Sequence, residues 1–306
     1  MAEPGRTKST PAPPPGVPPG MEVVDATAGD LTPYLGLDEV LIGWAHTTLD
    51  TLSNNFVGLY LLGSLAIGDF DLTSDVDFMI VTNEELSDHE LQLVQASHTE
   101  LISHDTRWVK HLEYSLFSLR KLSELSSPYR PDGLRNATAD RQLWYFDNGA
   151  STMERSDHDN TRVTRWTLRN KSRAVLGAEP ATFAPDIPAD DLRREIQSSM
   201  IGWEKLIGHD ASPFDNRFHQ VFLVLNNCRA LQDLHEGRIT SKREGVAWAK
   251  VHVDPRWHPL IDYCWQERQD TGIHISQPAD PDAFQQTLAF VEYTTRLAER
   301  VPVTGG

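Results

Sequence analysis

Along the first half of the chain the apolar residues change period several times. In LDEVLIGWAHTTLDTLS (37–53) they recur every three to four positions and predict a helix. FVGLYLL (56–62) is short, continuous, rich in Val, Leu and aromatic residues, and stops at Gly63, which predicts a strand. VDFMIV (76–81) predicts a second strand and HLEYSLFSL (111–119) a third. Between them NEELSDHELQLVQASHTELIS (83–103) predicts a helix capped by Asn83, with Glu84 and Glu85 in its first turn. From about Asn160 the pattern is helical throughout, broken at EPATFAPDIPADD (179–191) and at HDASPFDN (209–216).

Three segments follow. Residues 1–21 are rich in Pro and Gly and lack the apolar stretch of a signal peptide, so they are expected to form a disordered leader. Residues 22–150 are expected to form an α/β domain, a mixed sheet with helices, and residues 151–306 an all-α domain. The turn-rich segment 126–149 places the boundary between 125 and 160.

One stretch breaks the apolar pattern. In LLGSLAIGDFDLTSDVDFMIV (61–81) two carboxylates enter what is otherwise a buried strand. Residues two apart on a strand point to one face, so Asp75 and Asp77 project together while Val76 and Phe78 face the other way. Burying ionised carboxylates is costly unless positive charge meets them, and such a pair suits Mg²⁺, which takes hard oxygen ligands and keeps waters and substrate phosphates. Gly63-Ser64 ends the preceding strand. If a helix begins there, its free N–H groups and the Ser64 hydroxyl can hold a phosphate, with Gly63 allowing close approach. If the third strand lies beside the second, Glu113 completes a carboxylate triad; otherwise it is a solvent-facing strand residue.

Composition narrows the partners. With 44 Asp and Glu against 28 Lys and Arg the formal net charge is −16, which repels phosphate backbones and disfavours a nucleic-acid groove, while a cationic small molecule would be attracted. No run reaches the roughly 18 apolar residues of a membrane span. The two cysteines, Cys228 and Cys264, form no CxxC pair, consistent with free thiols in a reducing compartment, the cytoplasm. The twelve histidines show no HExxH spacing. Against the acidic background, TRVTRWTLRNKSR (161–173) sets Arg162, Arg165, Arg169 and Arg173 three and four apart, with Asn160 able to cap this helix and Gly177 to end it. The favoured expectation is a face paired with acids of the other domain; a phosphate or partner surface is the alternative.

Gly-Ser followed by SDVDFMIV resembles the GS…D-x-D motif of the DNA polymerase β-type nucleotidyltransferase superfamily. LNNCRALQDLHEGRITSKREGVAWA (225–249) resembles the C-terminal helical domain of streptomycin and spectinomycin adenylyltransferases, in which an Arg-bearing helix is followed by G-x-[IV]-x-SK and a helix with Trp-Ala. The resemblance covers most of residues 45–270 and implies a nucleotidyltransferase domain joined to a helical domain that closes on ATP. It implies that Asp75 and Asp77 bind metal, two Mg²⁺ ions being expected, and that Glu113 is the third acid and general base. It also implies that Gly63 and Ser64 hold ATP phosphates, and that Arg229 and Lys242 reach ATP from the helical domain. On a helical wheel Arg229 falls among Phe218, Phe222 and Leu225, so it should meet an anion, either a structural acid or the triphosphate. The implied reaction is attack of an acceptor hydroxyl on ATP, releasing pyrophosphate, with a cationic aminoglycoside or aminocyclitol first among acceptors. A nucleotidyltransferase acting on a protein or RNA end, and a silent nucleotide-binding or antitoxin-type module, are the alternatives. Drug recognition departs from the family: His219 stands where an acid is expected, Asp215 is the nearest acid, and Trp144 is only loosely placed as the tryptophan that follows the third acid.

Overall fold

A computed structural model describes residues 15–17, 21–71, 74–104, 106–125, 138–269 and 277–303. Its centre is a seven-stranded sheet. β1 (Val23–Asp25) precedes α1 (Leu35–Leu52), β2 (Phe56–Leu61), the one-turn α2 (Gly63–Ile67) and β3 (Val76–Thr82). Then come α3 (Asp88–Ser103), β4 (Leu112–Ser118), the short α4 (Leu119–Ser123), β5 (Leu143–Phe146) and β6 (Glu154–Ser156). After α5 (Arg162–Asn170), β7 (Arg173–Ala178) returns to the sheet, whose order is β1-β7-β2-β3-β4-β5-β6. Every neighbouring pair is antiparallel except β3 and β4, which run parallel with α3 as their crossover. The remainder is helical: α6 (Ala189–His209), α7 (Arg217–Glu236), α8 (Lys242–His252), α9 (His258–Glu267) and α10 (Pro281–Glu299).

The period-two alternation of the strands divides the sheet into two faces. Leu59, Leu61, Val76, Phe78, Ile80, Tyr114 and Phe146 pack under α1 and α3 through Leu37, Leu41, Trp44 and Val94. Val57, Tyr60, Met79, Val81 and Phe117 face the other way, against Leu122 of α4 and Leu168 of α5. The helical region has its own core, in which Leu192, Ile196, Val224, Cys228, Leu231, Ile261, Cys264 and Phe290 meet, and both cysteines are free and buried. No helix of the described residues is long and apolar enough to cross a membrane.

The α/β region followed by a helical region is the expected fold class. Several local expectations are corrected. The pattern past Asn160 is not helical throughout: β7 inserts between β1 and β2, so the sheet runs to Ala178, beyond the expected change of texture at 150. Gly177 does not end a helix but sits in β7 at φ +128°, where a Cβ would lie 2.3 Å from the Val57 carbonyl oxygen. Helix α3 starts at Asp88 because Ser87 and Glu90 form a reciprocal capping box, while Asn83 donates to the carbonyls of Gly16 (2.7 Å) and Asn54 (2.9 Å). Most of the expected leader, residues 1–14 and 18–20, lies outside the described residues, as do 126–137 of the linking segment. Val17 and Met21, however, pack into the second face of the sheet.

The basic stripe is split. Thr161, not Asn160, caps α5, and Arg173 belongs to β7. Asn160 is occupied elsewhere: its Nδ2 donates to the Arg141 carbonyl and its Oδ1 accepts from Arg165. Arg162 faces an acid of the helical region, Glu195 of α6 at 3.9 Å; Glu195 also accepts from the backbone N–H groups of Arg162 and Val163 and bears electrostatically on Arg165. The other arginines meet carbonyls. Arg165, 1% exposed, donates to the carbonyls of Leu122, Thr161 and Lys121 as well as to Asn160. Arg169 reaches Ala181 and Ala184, and Arg173 reaches Leu31.

Arg165→Met keeps the bulk but strands these buried acceptors. It is expected to lower unfolding stability by about 3 kcal/mol or more, since each unsatisfied buried group costs roughly 1–3 kcal/mol. Denaturant titration of both proteins measures the difference.

Candidate active site

The parallel register of β3 and β4 pairs Val76 with Leu112 and Asp77 with Glu113. Because Phe78 and Tyr114 point to α1 and α3, Asp77 and Glu113 share the opposite face, at the start of both strands. Asp75 precedes them by one turn of the pleat. Strand pairing thus sets Asp77 and Glu113 on one side of the sheet, and Asp75, just before β3, bears electrostatically on both.

Gly63 lies against it. The residue adopts φ +50°, and a Cβ there would stand 1.9 Å from Asp77 Oδ2. The turn after β2 thus needs glycine for two independent reasons, backbone conformation and room for the carboxylate. The Leu62 N–H donates to the Asp77 carbonyl at 2.8 Å, fixing the turn to β3. The Ser64 hydroxyl is buried and has no hydrogen-bond partner, a donor left for something the protein does not supply.

The acids repel one another. Burial, then Glu113, Asp75 and Asp159, hold the Asp77 carboxyl well above the usual carboxylate range. Burial pushes Glu113 up to about 7, against a hydrogen bond from Tyr145 and the nearness of His158. Tyr145 Oη donates to Glu113 Oε1 at 2.7 Å, with Asp147 Oδ1 3.2 Å away, and His158 Nε2 is 3.6 Å from the same Glu113 oxygen. Asp75 is also raised by burial, and its carboxylate accepts from Asn148. Among the described residues no three His, Cys, Asp or Glu side chains converge closely enough to hold an ion between them. The set Asp75, Asp77 and Glu113 is thus not closed into a cage. It still fits Mg²⁺, which takes hard oxygen ligands such as these and is commonly bound by one or two carboxylates together with substrate phosphates.

Opposite the acids stands a basic wall from the helical region. Lys242, the first residue of α8, is driven down to about 7 by burial and by Arg229 and Arg268, with Asp77 and Asp75 opposing. Its Nζ lies 5.6 Å from the centre of the Phe222 ring. Arg229 sits on α7 where that helix crosses α8 closely: a Cβ on Gly245 would lie 2.6 Å from the Arg229 Cα. Its expected anion is met in part, because Arg229 bears electrostatically on Asp233 one helical turn on. Asp233 in turn holds the α7–α8 turn by accepting from the Thr240 backbone (2.8 Å) and hydroxyl (2.6 Å).

Several residues here escape the sequence patterns. Tyr145 is the alternate position of β5 facing Glu113; pairing β5 with β4 in the LWYF run would have revealed it. Trp144, its neighbour, packs on the α1–α3 face and under Arg155, whose guanidinium is 4.0 Å from its ring centre, so it is away from Glu113. Asp159, accepting from Ser115 Oγ at 2.6 Å, adds a fourth carboxylate to the acid side. Arg268, just past α9, adds a third cation; its Nη2 is 3.0 Å from Asp71, and its Nε is buried without a hydrogen-bond partner. It carries no signal in sequence. His219 and Asp215 lie at the start of α7, where His219 bonds the capping Asn216 and meets the rings of Phe214, Phe218 and Phe222 edge-on.

Comparison with known proteins finds matches in both regions. The nucleotidyltransferase domain model matches residues 47–135, which carry Gly63, Ser64, both aspartates and Glu113. The model of the aminoglycoside adenylyltransferase C-terminal domain matches 182–295, which carry Arg229, Lys242 and Arg268. Spectinomycin 9-adenylyltransferase of Staphylococcus aureus is 25% identical over 218 residues, covering 69% of this chain and 77% of that protein. The enzyme of the same name from Campylobacter jejuni is 24% identical over 221 residues, with the same shares covered. Among solved structures, spectinomycin adenyltransferase AAD(9) from Enterococcus faecialis, crystallised with ATP and spectinomycin, shares the fold at a TM-score of 0.58 and 16% identity, over 81% of this chain and 94% of that one. The chain thus carries, in order, a match to the nucleotidyltransferase domain and a match to the C-terminal domain of aminoglycoside adenylyltransferases.

Proposed function

We propose that this chain transfers AMP from ATP to a hydroxyl of an aminocyclitol or aminoglycoside, spectinomycin being the first acceptor to try, and releases pyrophosphate. The observation that carries this reading is the pairing of walls: buried carboxylates of β3 and β4 on one side, Lys242 and Arg229 on the other, with the orphaned Ser64 hydroxyl at the Gly63 turn after β2. A Mg²⁺-triphosphate satisfies both walls at once, since the metal neutralises the acids and the phosphates neutralise the cations.

In this reading Asp75 and Asp77 hold the metal, two ions being expected, and Glu113 lies beside them. When bound, the metal withdraws charge from the phosphates and favours in-line displacement. The protein's own groups do the rest. Ser64 donates its hydroxyl to a phosphate oxygen, and the absence of a side chain at Gly63 lets the nucleotide and Asp77 share the space. Lys242 and Arg229 offset charge on the departing pyrophosphate. Glu113 takes the acceptor proton as its oxygen attacks the α-phosphorus and the bond to the bridging oxygen breaks. Tyr145 occupies one Glu113 oxygen and so leaves the other for that proton. A positioned carboxylate of this kind suits transfer of the acceptor proton. The acid side, extended by Asp147 and Asp159, suits a cationic acceptor. In this reading the nucleotidyltransferase domain includes β7, and residues 179–188 join it to the helical domain.

The direct test is pyrophosphate release from ATP and Mg²⁺ with spectinomycin, streptomycin and other aminocyclitols. Acceptor-dependent release is expected; none with any of them would remove the reading. Glu113→Gln keeps the shape and loses the proton acceptor. Single-turnover rate is expected to fall by about 10²- to 10⁴-fold, while equilibrium binding of Mg-ATP changes little. Gly63→Ala forces a methyl group onto Asp77. Turnover is expected to drop by about 10²-fold, as for an ångström-scale misplacement of a reacting group, with a stability loss of roughly 1–2 kcal/mol from the left-handed backbone, read from pyrophosphate release and thermal unfolding.

A further inference from the structure

Asp69 has no counterpart among the residues assigned above, yet it joins the two walls of the site. It follows Gly68, which ends α2 in the left-handed conformation, and its backbone N–H donates to the Ser64 carbonyl at 3.0 Å. Asp69 is therefore part of the Gly63–Ser64 turn. Its side chain, 7% exposed, points away to the helical region. Oδ1 accepts from Arg243 Nε at 2.9 Å, and Oδ2 accepts from the Arg243 backbone N–H at 3.1 Å.

That backbone donor belongs to the first turn of α8, where N–H groups have no partner within the helix. Ser241 and Glu244 form a capping box there, with the Glu244 N–H donating to Ser241 Oγ at 3.0 Å. Asp69 supplies a second cap from 174 residues away in sequence, and a carboxylate at a helix N-terminus is favoured by the helix dipole. The Arg243 guanidinium also lies 5.5 Å from the centre of the Trp265 ring of α9. Lys242 stands between Ser241 and Arg243, so both capping contacts hold the backbone from which it projects. A second pair, Asp71 with Arg268 at 3.0 Å, joins the same loop to the end of α9.

We propose that Asp69 is a positioning residue for nucleotide binding: by capping α8 through Arg243 it registers Lys242 against the Gly63–Ser64 turn, so that the phosphate-facing groups of the two regions are set at one spacing before ATP arrives. The inference rests on the assignment of Lys242 to the triphosphate. Asp69 acts through Lys242 and does not touch the nucleotide.

The test uses the full chain with Mg²⁺ and ATP, measuring equilibrium ATP affinity, KM, kcat and thermal unfolding for Asp69→Ala, Asp69→Asn, Arg243→Ala, Lys242→Ala and the double variant Asp69→Ala/Lys242→Ala. Asp69→Ala is expected to weaken ATP binding roughly five- to tenfold, the scale of a lost helix cap, raising KM for ATP more than it lowers kcat. Arg243→Ala, which keeps the backbone bond, and Asp69→Asn, which keeps a neutral cap, are expected to fall between it and the parent. Because Asp69 works through Lys242, the double variant should bind ATP no more weakly than Lys242→Ala alone. Losses that multiply in the double variant would overturn the proposal, as would ATP affinity within twofold of the parent for both Asp69→Asn and Arg243→Ala while Lys242→Ala weakens it. If Asp69→Ala does not fold, those two exposed or conservative changes decide. ATP affinity unaltered in Lys242→Ala would instead overturn the assignment of Lys242, and the proposal with it.

Discussion

The burial of like charges at the start of β3 and β4 governs the rest of the structure. Asp77 beside Glu113, with Asp75 and Asp159 close by, is an arrangement that an apolar sheet disfavours, and the raised carboxyls record that cost. A protein tolerates it where the rest of the fold over-determines the geometry. Here the parallel register, the apolar residues beneath it and the Gly63 turn each fix the same positions. In the proposed function the acids meet a cation, and Lys242 of the helical region, depressed by burial and then by its cationic neighbours, meets an anion. Each wall is unfavourable alone and the two oppose each other.

Polar contacts and apolar packing both join the sheet to the helical region, where Val163 and Trp166 of α5 pack against the helical core. Glu195 of α6 caps the start of α5, and Arg165 anchors α5 to the end of α4 through carbonyls. The basic stripe of α5 thus serves the junction between sheet and helices. A guanidinium that collects several carbonyl oxygens ties irregular chain segments together in a way an aliphatic side chain of similar volume does not.

The sequence made legible those features that local pattern determines. Short apolar runs located β2 and β3 and alternation located β4, and the offset of two between Asp75 and Asp77 announced a shared face. The helical spacing of α1 was equally plain. What it hid depends on pairing partners distant in the chain. RAVLGA of β7 follows a helix, opens on Arg and is held by strands whose residues lie over a hundred positions earlier, so no local period marks it. Two helix starts were misplaced by attractive asparagines, Asn83 and Asn160, whose side chains are spent on distant carbonyls while Ser87 and Thr161 do the capping. Tyr145, Asp159 and Arg268 are ordinary residues in sequence and become part of the site only through the way strands and helices meet.

The place of β7 also constrains the order in which the protein is made. It lies between β1 and β2, touching Val23 to Asp25 on one side and Gly58 to Leu61 on the other, although it is synthesised after every other strand. During translation β2, β3, β4 and β5 can pair as they emerge, but β1 has no neighbour until residue 178 leaves the ribosome. Until then the edge of β2 is open, a surface on which another chain could pair. Closing that edge requires a contact of long sequence separation, which is slow for entropic reasons. The nascent chain therefore carries nearly its whole acidic wall before its sheet is sealed, and the helices that bring Lys242 and Arg229 opposite that wall come later still.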